Sequence, residues 1–116
     1  MAKQLVQLNN TSRTEYVFIQ NSSSTTGAGL TGLVFNSAGL TADFVVERGL
    51  RTSITLATLA SADAAWSSGG FIAVDGTNMP GLYRIDIPNA VFATADKSVV
   101  MLKGATNMAP VVLEYQ

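Results

Sequence analysis

The sequence predicts an all-β fold, an antiparallel β-sandwich with one or two short helical turns. Three observations predict it. Stretches rich in β-branched and aromatic residues recur about every 8–14 residues, the spacing of sandwiches and barrels. Runs of Gly, Ser, Thr, Asn and Pro separate them. Long amphipathic helices are absent, which argues against parallel βαβ units. At 116 residues the chain is the size of one domain, expected to span 1–116.

The first strand signal is Thr14–Gln20, "TEYVFIQ", with Tyr16, Phe18 and Gln20 on one face and Val17 and Ile19 on the other. "NSSSTTGAG" (21–29) is a loop on any reading. Strand character resumes at Leu30–Asn36, breaks at Ser37–Gly39 and returns at Leu40–Glu47 before an Arg48-Gly49 turn. In Leu50–Leu59, alternation assigns Leu50, Thr52, Ile54, Leu56 and Thr58 to one buried face. The alanines of Ala60–Ala65 suit a short helical turn. Phe71–Asp75 and Leu82–Pro88 read as strands, and Asn89 after Pro88 suits the start of a second helical turn. Lys97–Gly104 and Ala109–Tyr115 are the last strands.

Composition narrows the function. Charged residues make up 13% of the chain against about 25% in typical domains. Ser, Thr, Asn and Ala must therefore cover much of the exterior. Surfaces poor in Lys and Glu resemble interface cores, which points to an assembled component; a neutral Ser/Thr-coated domain is the alternative. The net charge of −1 and scattered basic residues give no footprint for nucleic acid. No run of about 18–20 apolar residues is present to span a bilayer. The N-terminal "MAKQLVQLNN" does not have the form of a secretion signal.

With no Cys and no His, disulfides, thiolate metal sites and the usual near-neutral acid/base are excluded. A serine nucleophile would need Lys3, Lys97, Lys103 or a carboxylate as base, and no Ser-x-x-Lys pair occurs. Gly27, Gly29 and Gly32 spell a dinucleotide glycine pattern but lead into strand-forming residues rather than a helix. Asp43, Glu47, Asp63, Asp75, Asp86 and Asp96 offer carboxylate pairs with nothing to set them apart from turn and edge residues. "DGTN" (75–78) lacks the further acids of a calcium loop and reads as an Asp-Gly turn. No catalytic residue, cofactor site or metal site is therefore expected.

In "DGTNMPGLYRIDIP" (75–88), Met79-Pro80-Gly81 suits a turn. Tyr83, Ile85 and Ile87 then face the core, while Arg84 and Asp86 point outward and pair weakly. The exposed tip Thr77, Asn78 and Met79 is one candidate contact. Trp66, flanked by Ser and Gly, is the other, either in a sandwich core or in an aromatic platform for glycans.

The Pro-Gly-x-Tyr run (80–83) resembles a turn-strand unit of immunoglobulin-like and prealbumin-like sandwiches. Three blocks, 22–45, 66–93 and 99–116, resemble a family of small β-rich structural proteins of tailed bacteriophages. That resemblance implies a virion component assembled in the host cytoplasm, with other capsid or tail proteins and copies of itself as partners. It brings no catalytic motif. A head decoration or accessory role is expected, with a tail, neck or fibre adaptor and a carbohydrate-binding sandwich as the alternatives.

Overall fold

The computed structural model describes residues 3–4, 9–94 and 97–116, the first two by backbone alone. Among them nine strands form two sheets: β1 (Lys3–Gln4), β2 (Arg13–Phe18), β3 (Thr41–Val46), β4 (Thr52–Ile54), β5 (Ala57–Thr58), β6 (Gly70–Ala73), β7 (Leu82–Ile87), β8 (Ser98–Lys103) and β9 (Val111–Tyr115). One sheet has the order β1-β9-β8-β3-β4 and the other β2-β7-β6-β5. The pairings are antiparallel except β1 with β9 and β5 with β6. The predicted all-β sandwich is therefore observed.

Period-2 alternation explains the core. Val100 and Leu102 of β8 and Val111, Leu113 and Tyr115 of β9 point inward, alternating with half-buried neighbours. They meet Val17, Phe71, Tyr83, Ile85 and Ile87 of the other sheet in one apolar cluster. Phe71 stacks on Tyr83 at 5.2 Å, and Phe92 meets Tyr115 edge-on at 4.9 Å. Phe92 comes from a single 3-10 turn, Asn89–Phe92, between β7 and β8. Its Asn89 does not cap the turn; the side-chain oxygen accepts the Ser12 N–H instead.

Three expectations are corrected. Leu30–Asn36 is not a strand, because here the chain crosses from the β2 sheet to the β3 sheet. A side chain replaces the ladder: the Tyr83 hydroxyl donates to the Leu30 carbonyl at 2.7 Å and accepts the Leu33 N–H at 3.2 Å. Leu50–Leu59 is not one strand either. It leaves the five-stranded sheet after β4 and joins the other as β5, so no single face persists. Leu50 is 89% exposed, whereas Ile54 and Leu59 are buried. The Ala60–Ala65 segment makes turns and no helix, with Ser61 hydrogen-bonded to Asp63 in the local side-chain contact that competes with helix.

Candidate functional site

The predicted contact tip is the β6–β7 hairpin loop. Asp75 organises it: its carboxylate accepts the Thr77 and Asn78 backbone N–H groups at 3.0 Å each and the Asn78 side-chain amide at 2.9 Å. Its backbone carbonyl accepts the Met79 N–H at 2.7 Å. The Asn78 side-chain bond, then the two backbone bonds, hold the Asp75 carboxyl below its ordinary range. This is a turn stabilised by its own acid. No group of three potential metal-ligating acids occurs among the described residues. Thr77, Asn78 and Met79 are all exposed, so the tip stands free for contact.

Trp66 is elsewhere. It lies half-buried in the segment joining β5 to β6, with its indole N–H donating to the Arg13 carbonyl at 3.2 Å. Arg13 pairs with Ile87 at the far end of β7, while the tip adjoins Leu82 at the near end. Six residues of extended strand separate the two candidates, about 17 Å. They do not form one site.

Between them lies a feature that the sequence reading misplaced. Arg84 and Asp86 do leave β7 on the side away from the core, but they are buried, 4% and 0% exposed. The segment between β5 and β6 covers them. The guanidinium grips the carboxylate in a two-pronged pair, Nε to Oδ1 at 3.0 Å and Nη2 to Oδ2 at 2.9 Å. Its remaining Nη1 donates to the Ala62 carbonyl at 3.0 Å. Asp86 also accepts the Ser67 N–H at 2.9 Å and the Thr14 hydroxyl at 2.8 Å. Every prong of the pair is thus used, the condition under which a buried ion pair is tolerated. The sequence did carry a signal: opposite charges two residues apart, following a small-residue loop long enough to lie over them.

Electrostatics follow from that geometry. Burial pushes the Asp86 carboxyl upward, but the bonds from Arg84, Ser67 and Thr14 outweigh it, and the group titrates below its ordinary value. A carboxyl depressed in the folded state stabilises above its unfolded pKa of about 3.9, and that contribution fades as pH falls through the folded value. Asp63, held down by Ser61, and Asp75 act in the same direction. Thermal unfolding scanned from pH 7 to pH 2 is therefore expected to show a Tm that starts to fall only near pH 4 and keeps falling below it. A Tm independent of pH below 4 would contradict the buried pair.

A second cluster closes the same end of the sandwich. Arg13 pairs with Glu15 at 2.6 Å and lies 5.9 Å over the Tyr115 ring. Burial, then Glu15, pushes the Tyr115 phenol above its ordinary value. A groove of about 560 Å³ lies on the five-stranded sheet, lined by residues including Phe35, Leu40, Asp43, Arg51 and Lys103. Within it Arg51 is held by Asp43 at 2.7 Å. Asp96 lies outside the described residues, as does the side chain of Lys3. Comparison of the chain with protein-family models, curated proteins and solved structures finds no match.

Proposed function

We propose that the chain is a structural, non-enzymatic module of a bacteriophage particle, a head decoration or accessory protein that attaches through protein–protein contacts. One observation carries the reading. In a chain this poor in charge, Arg13, Arg51 and Arg84 are spent on partners within the fold, while Tyr16, Phe18, Val34, Val45, Leu50 and Met79 stay exposed. A surface of that kind suits contact with other proteins better than catalysis or nucleic acid.

The strand order also fits the immunoglobulin-type reading. β2-β7-β6 faces β9-β8-β3-β4, with the first strand parallel to the last, as in a Greek-key sandwich of that kind. A sugar platform on Trp66 is less well supported, because its N–H is engaged by the backbone of β2.

The test is to find the protein in its setting. Particles of the phage that encodes it, purified and digested for mass spectrometry, are expected to contain the chain in stoichiometric amounts. Cryo-electron microscopy of those particles is expected to place it on the head. Absence from particles overturns the reading, and density on the tail moves it to an adaptor role.

A further inference from the structure

We propose that β2 is a self-pairing edge, through which two copies of the chain join antiparallel across a two-fold axis at Tyr16. The proposal rests on the reading of the chain as a structural module that works through protein–protein contacts, and adds a surface through which copies of it join. It begins with the sheet edges. Two of the four edge strands are short, β5 with two residues and β4 with three, and β1 covers Lys3–Gln4 among the described residues. Short edges are one way that sheets avoid pairing with other chains. The fourth edge, β2, has six residues, Arg13–Phe18, with neither Pro nor Lys to guard it.

The backbone direction of β2 is fixed by its partner. Ile19 donates to the Gly81 carbonyl, so residues 13, 15, 17 and 19 turn their polar groups toward β7. Thr14, Tyr16 and Phe18 alternate with them and turn theirs outward. Among the described residues, nothing meets the backbone N–H and C=O groups of these three. Their side chains lie on the outer face of the sheet, where Tyr16 is 57% and Phe18 50% exposed. An open ladder beneath half-exposed aromatics is a template for another strand.

A second copy fits this template. Centring the pair on Tyr16 sets Tyr16 opposite its mate, Thr14 opposite Phe18 and Phe18 opposite Thr14. All six outward groups then find partners, and the aromatics pack across the axis. Sliding the centre to Val17 would call on Gln20, whose carbonyl already accepts the Ala109 N–H. In the Tyr16 register Glu15 faces Val17 and Arg13 faces Ile19, so no like charges meet. An isologous contact of this kind closes as a dimer.

Sedimentation velocity on the full chain over a concentration series is expected to show a monomer–dimer equilibrium. Tyr16→Lys sets two lysines opposite each other and is expected to weaken the dimer on the order of a hundredfold. The side chain is exposed, so a circular dichroism melt taken at a concentration where both chains are monomeric should be unchanged. The chain lacks cysteine, which allows the register to be read directly. Tyr16→Cys places two thiols on residues with Cα atoms about 5.5 Å apart, within disulfide range, and oxidation is expected to cross-link them. Phe18→Cys puts its mate about 14 Å away and should not cross-link. The proposal is overturned by a chain that stays monomeric throughout, by a dimer that tolerates Tyr16→Lys, or by equal cross-linking of the two cysteine variants. A chain that is monomeric yet present in particles sinks only the β2 pairing. A dimer absent from particles sinks only the virion reading.

Discussion

Arg84→Ala is expected to lower the unfolding free energy by about 3–5 kcal/mol, read from the midpoint of a urea or guanidinium transition. The loss does not measure the attraction between the two charges. It comes mainly from what remains: an Asp86 carboxylate with no exposure, stripped of two charge-assisted bonds and unable to recruit water through the segment that covers it. Ala62 loses its donor as well, which loosens that cover. Arg51→Ala is the internal comparison. It breaks an even shorter pair, Arg51 with Asp43 at 2.7 Å, but the Arg51 side chain is 72% exposed, and the cost should stay within about 1 kcal/mol. The double variant Arg84→Met/Asp86→Leu removes both charges and is expected to recover part of the loss, because the Ser67 N–H, the Thr14 hydroxyl and the Ala62 carbonyl are left without these partners under the same cover. If Arg84→Ala costs no more than Arg51→Ala, the segment between β5 and β6 does not lie over β7 in solution.

That contrast also marks how far the sequence could be read. Alternation along Leu82–Ile87 correctly turned Tyr83, Ile85 and Ile87 inward, because a strand has only two faces and one was apolar. The same alternation sent Arg84 and Asp86 outward and could go no further. Whether an outward face meets water depends on a loop from elsewhere in the chain, and period-2 patterns hold no information about loops. Leu50–Leu59 failed for a related reason. Within the five-stranded sheet only Thr52–Ile54 of it forms a strand, with Ile54 buried and Thr52 exposed on the same face; the chain then changes sheets, and the face shared by Leu50 and Ile54 on paper does not exist. The tip at Thr77–Met79 was legible because Asp, Gly, Asn and Pro act on their own backbone within a few residues. Its separation from Trp66 was not, since only the path of β6 and β7 sets that distance. The open edge of β2 was hidden likewise, because "TEYVFIQ" reads the same in a central strand and an edge strand.

The tip itself is held by backbone proximity, and Gly81→Ala is expected to destabilise the fold by on the order of 3 kcal/mol. Two effects add. Gly81 has φ +91°, a conformation that a side chain resists, and a Cβ there would sit 2.6 Å from the Gly29 Cα and 2.7 Å from the Phe18 ring. The reverse is also true, since a Cβ on Gly29 would collide with the Pro80 carbonyl oxygen. The loop after β2 and the turn before β7 therefore cross at two glycines with no room for a methyl group between them. Two other glycines separate the effects. Gly27 has φ +80° but open space around it, so Gly27→Ala should show the conformational cost alone, about 1–2 kcal/mol. Gly76 has neither the strained angle nor a neighbour within 4 Å, and Gly76→Ala should be close to neutral. The expected order in denaturant midpoint is Gly76→Ala, then Gly27→Ala, then Gly81→Ala as the least stable. Phe18 lies against Gly81, so the last variant should also disturb the aromatic face of β2, and with it any dimer formed there. A Gly81→Ala chain as stable as Gly27→Ala would mean that the two loops do not cross this closely, and that the tip is set by the Asp75 turn alone.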